Sequence, residues 1–209
     1  MPSTKVLVAD ASSTDGTPEI VLSFRDRLQV EVVPGGMPSV GRNSGARLAD
    51  TRYVLFIDAD IDLATDSLIR HAVETALAKD LDCLTTSILC RGGSLTDKVF
   101  YAANDLFQYL SRLHRPYSTG MFMMFKLSKF HELGGFDERV LFAEDYYLSS
   151  QVKRRKFKIV RGGVYTTNRR FRKMGHLRMG YLFLWTAMNF WNEDYFLRDH
   201  NYWAEGRKS

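Results

Sequence analysis

Three acidic residues stand at alternate positions directly after a hydrophobic run. The apolar and aromatic run Tyr53–Ile57 predicts a buried strand, and Asp58, Asp60 and Asp62 follow it. Like charges packed this closely repel one another unless a cation neutralises them. Carboxylate oxygens on a short loop suit Mg²⁺ or Mn²⁺, which keep coordination positions open for substrate phosphates. We therefore expect a divalent metal site here, with a solvated acidic turn as the alternative.

Two further acidic segments stand beside predicted turns. Asp10 ends a predicted strand and opens the polar segment 11–17, whose short side chains and glycine suit a tight turn next to a ligand. Glu144 and Asp145 stand at a predicted helix start, after the glycine-rich turn at 134–138. Each segment also has a purely structural interpretation, because surface turns use the same residue types and acids stabilise helix N-termini through the helix dipole.

Basic residues crowd one quarter of the chain, although the net charge is only +5. The members of this cluster are Lys153, Arg154, Arg155, Lys156, Lys158, Arg161, Arg169, Arg170, Arg172, Lys173 and Arg178. Such a cluster predicts contact with an anion, and a diphosphate or an anionic lipid headgroup would explain it equally well. We expect no nucleic-acid partner, because no helix-turn-helix, zinc-finger or RNA-recognition signature accompanies the cluster.

The order of the predicted elements favours an α/β fold. Short runs rich in β-branched and apolar residues predict strands at Lys5–Ala9, Leu28–Val33, Tyr53–Ile57, Leu81–Ile88 and Met121–Phe125. Helical patterns separate these strands. This alternation predicts a mainly parallel sheet flanked by helices, and ligands of such sheets bind beyond the carboxyl ends of the strands.

Helices are predicted from capping residues and from apolar spacing. Thr17 followed by Pro18 predicts one helix start, and the next helix is expected near Val40. Two longer stretches place apolar residues at helical spacing, and we expect both stripes to face the core. The first stripe is Leu68, Ile69, Ala72, Val73, Ala76 and Leu77, and the second is Val99, Phe100, Ala103, Leu106, Phe107 and Leu110.

Length and composition add a few limits. With 209 residues, 45% apolar and 25% charged, the chain fits a single domain over residues 1–209. Cys83 and Cys90 lack a neighbouring histidine, which favours buried reduced thiols over a zinc or disulfide site. The longest apolar stretch, Tyr181–Trp191, falls well short of the ~20 residues that span a bilayer, and no signal-peptide pattern is present. We expect a cytoplasmic protein.

Taken together and in this order, the acidic and basic segments resemble glycosyltransferase family 2, the inverting family with the GT-A fold. Asp10–Thr17 is similar to the family's Asp-Asp-Gly-Ser-x-Asp-Gly-Thr motif, with Ala in place of the second acid, and Gly41–Gly45 is similar to its Ala-Arg-Asn-x-Gly segment. The Asp-Ala-Asp at 58–60 matches the family's Asp-x-Asp, and the pair at 144–145 matches its Glu-Asp. Thr167–Gly175 is similar to the Ser-x-Arg-Arg-Phe stretch of small bacterial members.

The resemblance implies a donor site for a nucleotide-diphosphate sugar. By it, Asp10 reads the base of the nucleotide and Asp58 faces the donor sugar or the ribose. Arg42 belongs to the same site through its segment. Arg169 or Arg170 clamps the diphosphate, since a guanidinium binds phosphate oxygens in a bidentate manner.

The resemblance also implies the catalytic and metal-binding residues. By it, Asp60 is the leading ligand of the Mg²⁺ or Mn²⁺ ion, with Asp62 as a second one. Asp145 is the general base, and Glu144 is its neighbour on the acceptor side. Asp15 would hold the turn that precedes the first helix.

These implied roles add up to metal-dependent, inverting transfer of a sugar to an acceptor hydroxyl or lipid phosphate, on a saccharide or a lipid-linked acceptor. A donor-binding half would cover about 1–90, an acceptor-binding half about 91–175, and an amphipathic C-terminal segment about 176–209. Two alternatives stay open. One is a non-catalytic remnant that acts as a binding or assembly subunit. The other is a nucleotidyltransferase, although no Gly-x-Gly-x-Arg loop is present.

Two expectations concern the ends of the sequence. Family members usually open with a Val-Ser-Val-Ile-Ile-Pro-x-Tyr-Asn strand and a helix, whereas this sequence begins at what would be the second strand. The edge of Lys5–Ala9 is then expected to be unpaired, which favours a homo-oligomer. The aromatic segment Leu177–Trp203, next to the basic cluster, predicts either contact with a membrane surface at the inner face or a cover over one face of the sheet.

Overall fold

The computed structural model describes residues 4–189, 191–198 and 200. The strands are β1 (Lys5–Asp10), β2 (Gln29–Pro34), β3 (Tyr53–Ile57), β4 (Asp62–Leu63), β5 (Cys83–Cys90), β6 (Phe122–Lys126) and β7 (Phe157–Thr166). The helices are α1 (Thr17–Leu22), α2 (Pro38–Arg47), α3 (Leu68–Lys79), α4 (Leu95–Ser111), α5 (Leu127–Glu132), α6 (Glu144–Ser149), α7 (Arg169–Met174), α8 (His176–Met188) and α9 (Glu193–Phe196). A short 3-10 helix covers Arg154–Lys156.

The five strands predicted from the sequence are confirmed to within about two residues at each end. The helix start at Pro18 and the helix around Val40 are confirmed as well. Asp15 holds the turn before α1 as expected, because it accepts hydrogen bonds from the N–H and the hydroxyl of Thr17. Neither β4 nor β7 was predicted, because β4 has two residues and β7 begins inside the basic cluster.

The expected mainly parallel sheet is wrong in detail, although the α/β class is confirmed. β1 and β2 form a parallel pair of their own, and five strands form a mixed sheet in the order β3-β6-β5-β7-β4. Within that sheet only β5 and β7 are parallel. β6 runs antiparallel to both β3 and β5, and β4 runs antiparallel to β7. Alternating helices and strands report the order of elements, not which strands pair.

Helix α2 connects the two sheets. A Cβ atom at Gly41 would lie 3.0 Å from Cβ of Ala9, so a glycine lets the helix lie close to β1. On the other side of α2, Ala46 is buried in one core cluster with Phe56 and Phe130. In the described part of the chain no ladder joins β1 or β2 to the larger sheet, whereas α2 contacts β1 through Gly41 and the core of the larger sheet through Ala46.

The core occupies both faces of the five-stranded sheet. Met123 and Phe125 belong to the cluster on one face, and Phe122 and Met124 to the cluster on the other, as the period of two in a strand requires. Cys83 is a buried free thiol, as predicted, whereas Cys90, also a free thiol, is only half-buried.

The first predicted core stripe holds only in part. On α3 the positions 68, 72 and 76 are buried, whereas Ile69 and Leu77 are exposed. The face of α3 that packs on the sheet is therefore narrower than the apolar spacing predicts.

The second predicted core stripe is wrong. Val99, Leu106, Phe107 and Leu110 of α4 are exposed, and the helix turns its polar side to the sheet instead. A bulge between Thr86 and Ile88 interrupts the β5–β7 ladder. Polar groups are then needed to pair the backbone there, because an unpaired buried amide or carbonyl is costly. Gln108 donates to the carbonyl of Thr86 at 3.1 Å, and Asp105 accepts from the N–H of Ile88 at 2.9 Å.

The aromatic C-terminal segment divides between two environments. Tyr195 and Phe196 are buried beside Tyr146, and Met179 and Leu182 of α8 are buried as well. The exposed side chains of α8 include Leu177, Tyr181, Leu184, Trp185 and Met188. Phe190, Tyr202 and Trp203 lie outside the described residues. In the described ranges no helix combines the length and the apolar character needed to cross a bilayer.

Candidate active site

Arg42 on α2 binds two of the predicted site carboxylates at once. Its Nη2 lies 2.9 Å from Oδ1 of Asp58 at the end of β3, and its Nη1 lies 2.8 Å from Oε1 of Glu144 at the start of α6. The guanidinium also stands over the ring of Phe136, 5.4 Å from its centroid. Only 13% of the Arg42 side chain is exposed, so its pair with Glu144 is largely shielded from water, whereas Asp58 is about one-third exposed. Arg42 thus holds the end of β3 against the acid pair.

Asn43 fixes the turn that carries Phe136. Its side-chain amide donates to the carbonyl of Phe136 at 2.8 Å, and its Oδ1 accepts from the N–H of the same residue at 3.0 Å. Gly135 adopts φ +75, and a Cβ there would lie 2.8 Å from Oδ1 of Asn43. Glycine is therefore required at this position both for its dihedral angle and for space.

The acid pair follows a backbone position of unusual geometry. Ala143 has φ 56 and ψ 35, in the left-handed region that costs a non-glycine residue about 1 kcal/mol. This conformation turns the chain sharply into α6, so that Glu144 and Asp145 occupy its first turn.

Backbone groups hold both oxygens of Asp145. Oδ2 accepts from the N–H of Gly120 at 2.7 Å, and Oδ1 accepts from the N–H of Tyr146 at 2.7 Å. Burial away from water, and then the adjacent charge of Glu144, raise the pKa of Asp145 to about 7. The Arg42 charge and the two hydrogen bonds oppose this rise. A carboxyl with a pKa near 7 is matched to proton transfer at neutral pH.

Arginines neutralise the three alternating acids that follow β3. Asp58 pairs with Arg42, as described above. Asp60 pairs with Arg169 at 2.7 Å, and Asp62 pairs with Arg91 at 2.6 Å. The latter two pairs are well exposed. The three arginines come from three different parts of the fold. The repulsion inferred from the sequence is therefore relieved by guanidinium groups, one for each carboxylate.

The structure does not gather the predicted metal ligands into a ready-made cluster. Within the described ranges, no three His, Cys, Asp or Glu side chains converge into a group that could hold an ion by themselves. Mg²⁺ and Mn²⁺ bound by substrate phosphates need only one or two protein carboxylates. Asp60 fits that need, because its side chain is about half exposed three residues after β3, and it becomes available once its exposed pair with Arg169 is exchanged.

Asp10 stands at the end of β1 and Arg170 in the first turn of α7. Asp10 closes β1, and its Oδ2 accepts from the N–H of Ser13 at 2.9 Å; hydrogen bonding by Ser13 lowers the pKa of this carboxyl. Gly35 lies so close to the Asp10 backbone that a Cβ would come within 2.7 Å of its carbonyl carbon. Arg170 is half-buried in the first turn of α7, next to Arg169.

Sequence reasoning missed three residues that shape this site. Gly120 was not assigned a role, yet it donates to Asp145, and a Cβ there would lie 2.4 Å from Nη2 of Arg42. Asn43 and Phe136 were quoted only as parts of longer segments. The signal in the sequence is the Arg-Asn pair at 42–43. In the structure Arg42 binds Asp58 and Glu144, and Asn43 binds the backbone of Phe136.

The family model of glycosyl transferase family 2 matches residues 2–134. The chain belongs to glycosyl transferase family 2. That match covers β1 through α5, with Asp10, Arg42, Asp58 and Asp60 inside it. The acid pair and the basic segment lie beyond the matched residues.

Solved glycosyltransferase structures share the fold of this member of the family. A mannosyltransferase from Pyrobaculum calidifontis, in complex with GDP-Man and Mn²⁺, is 19% identical with a TM-score of 0.62 over 86% of this chain and 55% of its own. Residues 1–349 of S. aureus TarS, in complex with UDP-GlcNAc, are 19% identical with a TM-score of 0.59 over 79% and 50%. Glucosyl-3-phosphoglycerate synthase from Mycobacterium tuberculosis, in complex with phosphoglyceric acid, is 16% identical with a TM-score of 0.53 over 88% and 68%.

The GT-A assignment is thereby confirmed at the level of the fold. The chain spans about half the length of the TarS and mannosyltransferase chains that it matches. No curated protein sequence matches it.

Proposed function

We propose that this glycosyltransferase carries out metal-dependent, inverting transfer of a sugar from a nucleotide-diphosphate donor to an acceptor hydroxyl or phosphate. The observation that carries the proposal is the double ion pair of Arg42. It joins Asp58, which the family resemblance assigns to the donor, to Glu144, which the resemblance assigns to the acceptor side. The nucleotide-sugar complexes of TarS and of the Pyrobaculum mannosyltransferase, the latter with Mn²⁺, support a donor of this class.

The donor is bound by residues at the ends of β1 and β3 and by α7. Asp10 accepts hydrogen bonds from the base, and Asp58 accepts them from the ribose or the sugar. Arg169 and Arg170 bind the diphosphate, whose charge attracts the guanidinium groups. On donor binding, Arg169 exchanges its exposed ion pair with Asp60 for one with phosphate, at little net cost because exposed pairs contribute about 0–1 kcal/mol.

A divalent ion would be held by Asp60, by Asp62 as a second ligand and by the donor phosphates, and it would stabilise the negative charge that develops on the leaving diphosphate. Once Arg169 has moved to the diphosphate, the Asp60 carboxylate is released for this role. Arg169 and Arg170 stabilise the same developing charge from the protein side.

Asp145 acts as the general base. The acceptor oxygen attacks the anomeric carbon in line with the departing diphosphate, and its proton passes to a carboxylate oxygen of Asp145. The hydrogen bonds from Gly120 and Tyr146 keep that carboxylate in one orientation. Glu144 pairs with Arg42 beside it. Attack from the face opposite the leaving group inverts the anomeric centre.

The acceptor is a saccharide or a lipid-linked molecule. A hydroxyl acceptor requires Asp145, because a hydroxyl is not ionised at neutral pH. A phosphate acceptor is already ionised and depends less on the base. Comparing the effect of one substitution at Asp145 on both classes of acceptor therefore distinguishes them.

A screen of nucleotide sugars tests the proposal. Thermal unfolding is measured with each donor in the presence and absence of Mn²⁺, since a ligand that binds the native state raises its melting temperature. Release of the nucleoside diphosphate is then followed for every donor that binds. We expect at least one donor to stabilise the protein only with Mn²⁺ and to be turned over. Binding without any turnover across all acceptors would instead support the non-catalytic binding subunit.

A further inference from the structure

Helix α4 is amphipathic in the opposite sense from that expected of a helix that packs on a sheet. Its polar residues, Asp97 at 2% exposure and Gln108 at 1%, face inward. Its large apolar side chains face solvent at spacings of three, four and seven residues. These are Leu95 (78% exposed), Val99 (57%), Leu106 (60%) and Leu110 (54%), followed by Leu113 (72%) in the turn after the helix.

Packing within the fold does not account for this outward stripe. The inward polar side chains already serve the bulge in β5, so rotation of α4 to bury the stripe would break the hydrogen bonds of Asp105 and Gln108. A capping box formed by Ser94 and Asp97 fixes the start of the helix in the same orientation. An exposed apolar stripe that is held in place in this way is typical of a surface that binds a membrane or another molecule.

Helix α8 contacts α4 and carries a second outward stripe. The two helices approach closely at Gly180, where a Cβ would lie 3.3 Å from the Phe100 ring. His176 at the start of α8 binds Asp97 of α4 at 2.7 Å. Leu177, Tyr181, Leu184 and Met188 of α8 are exposed at helical spacing.

The exposed charges on α4 and α8 themselves are basic, whereas the acids Glu193 and Asp194 stand in α9, after α8. The acidic residues between 92 and 116, Asp97 and Asp105, are both bound on the inner side of α4. The sequence contains no Asp or Glu from 146 to 192, the stretch that includes α8 and the whole basic cluster. A partner that matches this surface therefore has an apolar part for the two stripes and negative charge for the basic residues.

A basic cleft lies at the C-terminal end of the α4 stripe. It has a volume of about 720 Å³ and is lined by Arg112, Leu113, Lys153, Arg154 and Arg155 among others. Arg154 donates to the carbonyl of Leu113 at 2.5 Å, which ties the basic segment to the end of the stripe. Apolar side chains that end beside a cluster of cations match the acyl chains and headgroups of an anionic lipid layer.

We propose that the outward stripes of α4 and α8 lie in the surface of an anionic bilayer, with lipid headgroups in the cleft formed by Arg112 and Lys153–Arg155. The surface is close to the site described above. Tyr117, after α4, donates to Asn104 of that helix, and its ring packs on Tyr146, the residue after Asp145. A membrane-bound protein would therefore hold Asp145 one layer of side chains away from the docking helix.

Cosedimentation with vesicles tests this inference. The protein is mixed at low salt with phosphatidylcholine vesicles that do or do not contain about one-third phosphatidylglycerol. We expect it to pellet with the anionic vesicles and to remain in the supernatant with the neutral ones. Added salt should release it, because headgroup attraction is screened. A protein that stays in the supernatant with both compositions overturns the proposal.

Paired variants locate the binding surface. L106Q/L110Q removes two side chains of the stripe, and glutamine preserves the helix, so vesicle affinity should fall at least about tenfold. I20Q/L77Q removes side chains of comparable exposure from α1 and α3 and should leave binding unchanged. An equal loss in both variants overturns the assignment. Light scattering provides a further check. If wild type is a dimer and L106Q/L110Q is a monomer that still binds vesicles, the assignment is also overturned, because the stripe would then join two copies of the protein.

A second pair tests the cleft. K153Q/R155Q should weaken binding to anionic vesicles by about fivefold for each charge removed. R70Q/K79Q removes the same charge from α3, away from the cleft, and should leave binding unchanged. Equal binding by wild type and K153Q/R155Q excludes the cleft as the headgroup site. Stabilisation by nucleoside diphosphate and Mn²⁺ is measured on all four variants and should be retained, so that failure of membrane binding and failure of the proposed transfer reaction are separate results.

Discussion

The backbone N–H of Gly120 donates a hydrogen bond to Oδ2 of Asp145 at 2.7 Å. Gly120 lies two residues before β6, and Asp145 lies in the first turn of α6. The contact therefore fixes the acid pair relative to the central strands of the sheet. A carboxylate held by a rigid backbone group keeps its orientation when a substrate binds, which is what a general base requires.

Asp145→Asn should nearly abolish hydrolysis of the bound donor and transfer to hydroxyl acceptors, with a loss of about 10²- to 10⁴-fold in kcat. The amide has nearly the shape of the carboxyl but cannot take the proton. Donor affinity, measured by thermal shift with Mn²⁺, should stay close to that of wild type. Turnover at the wild-type rate would remove Asp145 from the mechanism.

Activity should rise with pH through the range around 7. Burial and the charge of Glu144 raise the pKa of Asp145 to about 7, so the carboxyl is protonated and inactive as a base below that pH and ionised above it. The logarithm of kcat/KM for donor hydrolysis should therefore increase up to about pH 7 and level off above it. Asp145→Asn supplies the control, since its residual rate should show no inflection there.

Asp60→Ala should remove the Mn²⁺-dependent part of the stabilisation by nucleoside diphosphate. At a ligand concentration of about a hundred times Kd, that stabilisation corresponds to a shift in melting temperature of about 5 to 10 °C. Asp50→Ala, an exposed acid outside the site, is the matched control and should behave as wild type. A full Mn²⁺ response in Asp60→Ala would show that the ion is held elsewhere.

Gly120→Ala should displace Arg42 and destabilise the protein by about 1–3 kcal/mol. The added Cβ would lie 2.4 Å from Nη2 of Arg42, which cannot move without loss of its pairs with Asp58 and Glu144. Gly45→Ala on α2 is the comparison, because its Cβ would meet Leu7 at 3.8 Å, an ordinary contact. In a helix interior that change should be neutral or stabilising. Urea unfolding of both variants measures the difference.

The sequence predicted local features well and distant pairings poorly. Strands such as Tyr53–Ile57 are fixed by their own apolar runs, and α3 begins at Leu68, the first residue of its predicted apolar stripe. The link from Arg42 to Glu144 joins residues from opposite halves of the chain. No local pattern reports such a contact, and the family resemblance identified both residues without indicating that they touch.

The orientation of α4 shows a different limit. Apolar spacing correctly grouped Leu106 and Leu110 on one face, but it does not say whether that face points inward. The answer depended on the bulge between Thr86 and Ile88, which creates backbone groups that only polar side chains satisfy. The alternating acids show the same limit, because their neutralising arginines come from distant segments.

The pairing of β1 with β2 alone has a consequence for how the fold opens. In the described part of the chain, no ladder hydrogen bonds join these strands to the five-stranded sheet, and α2 packs against β1 and β2. Amide hydrogens in such a two-stranded segment exchange through local opening, which requires less free energy than global unfolding. Amides of β1 should therefore exchange faster than those of β5, which has strand neighbours on both sides. If β1 and β2 bind the nucleotide as proposed, donor binding should slow the exchange of their amides more than that of β5.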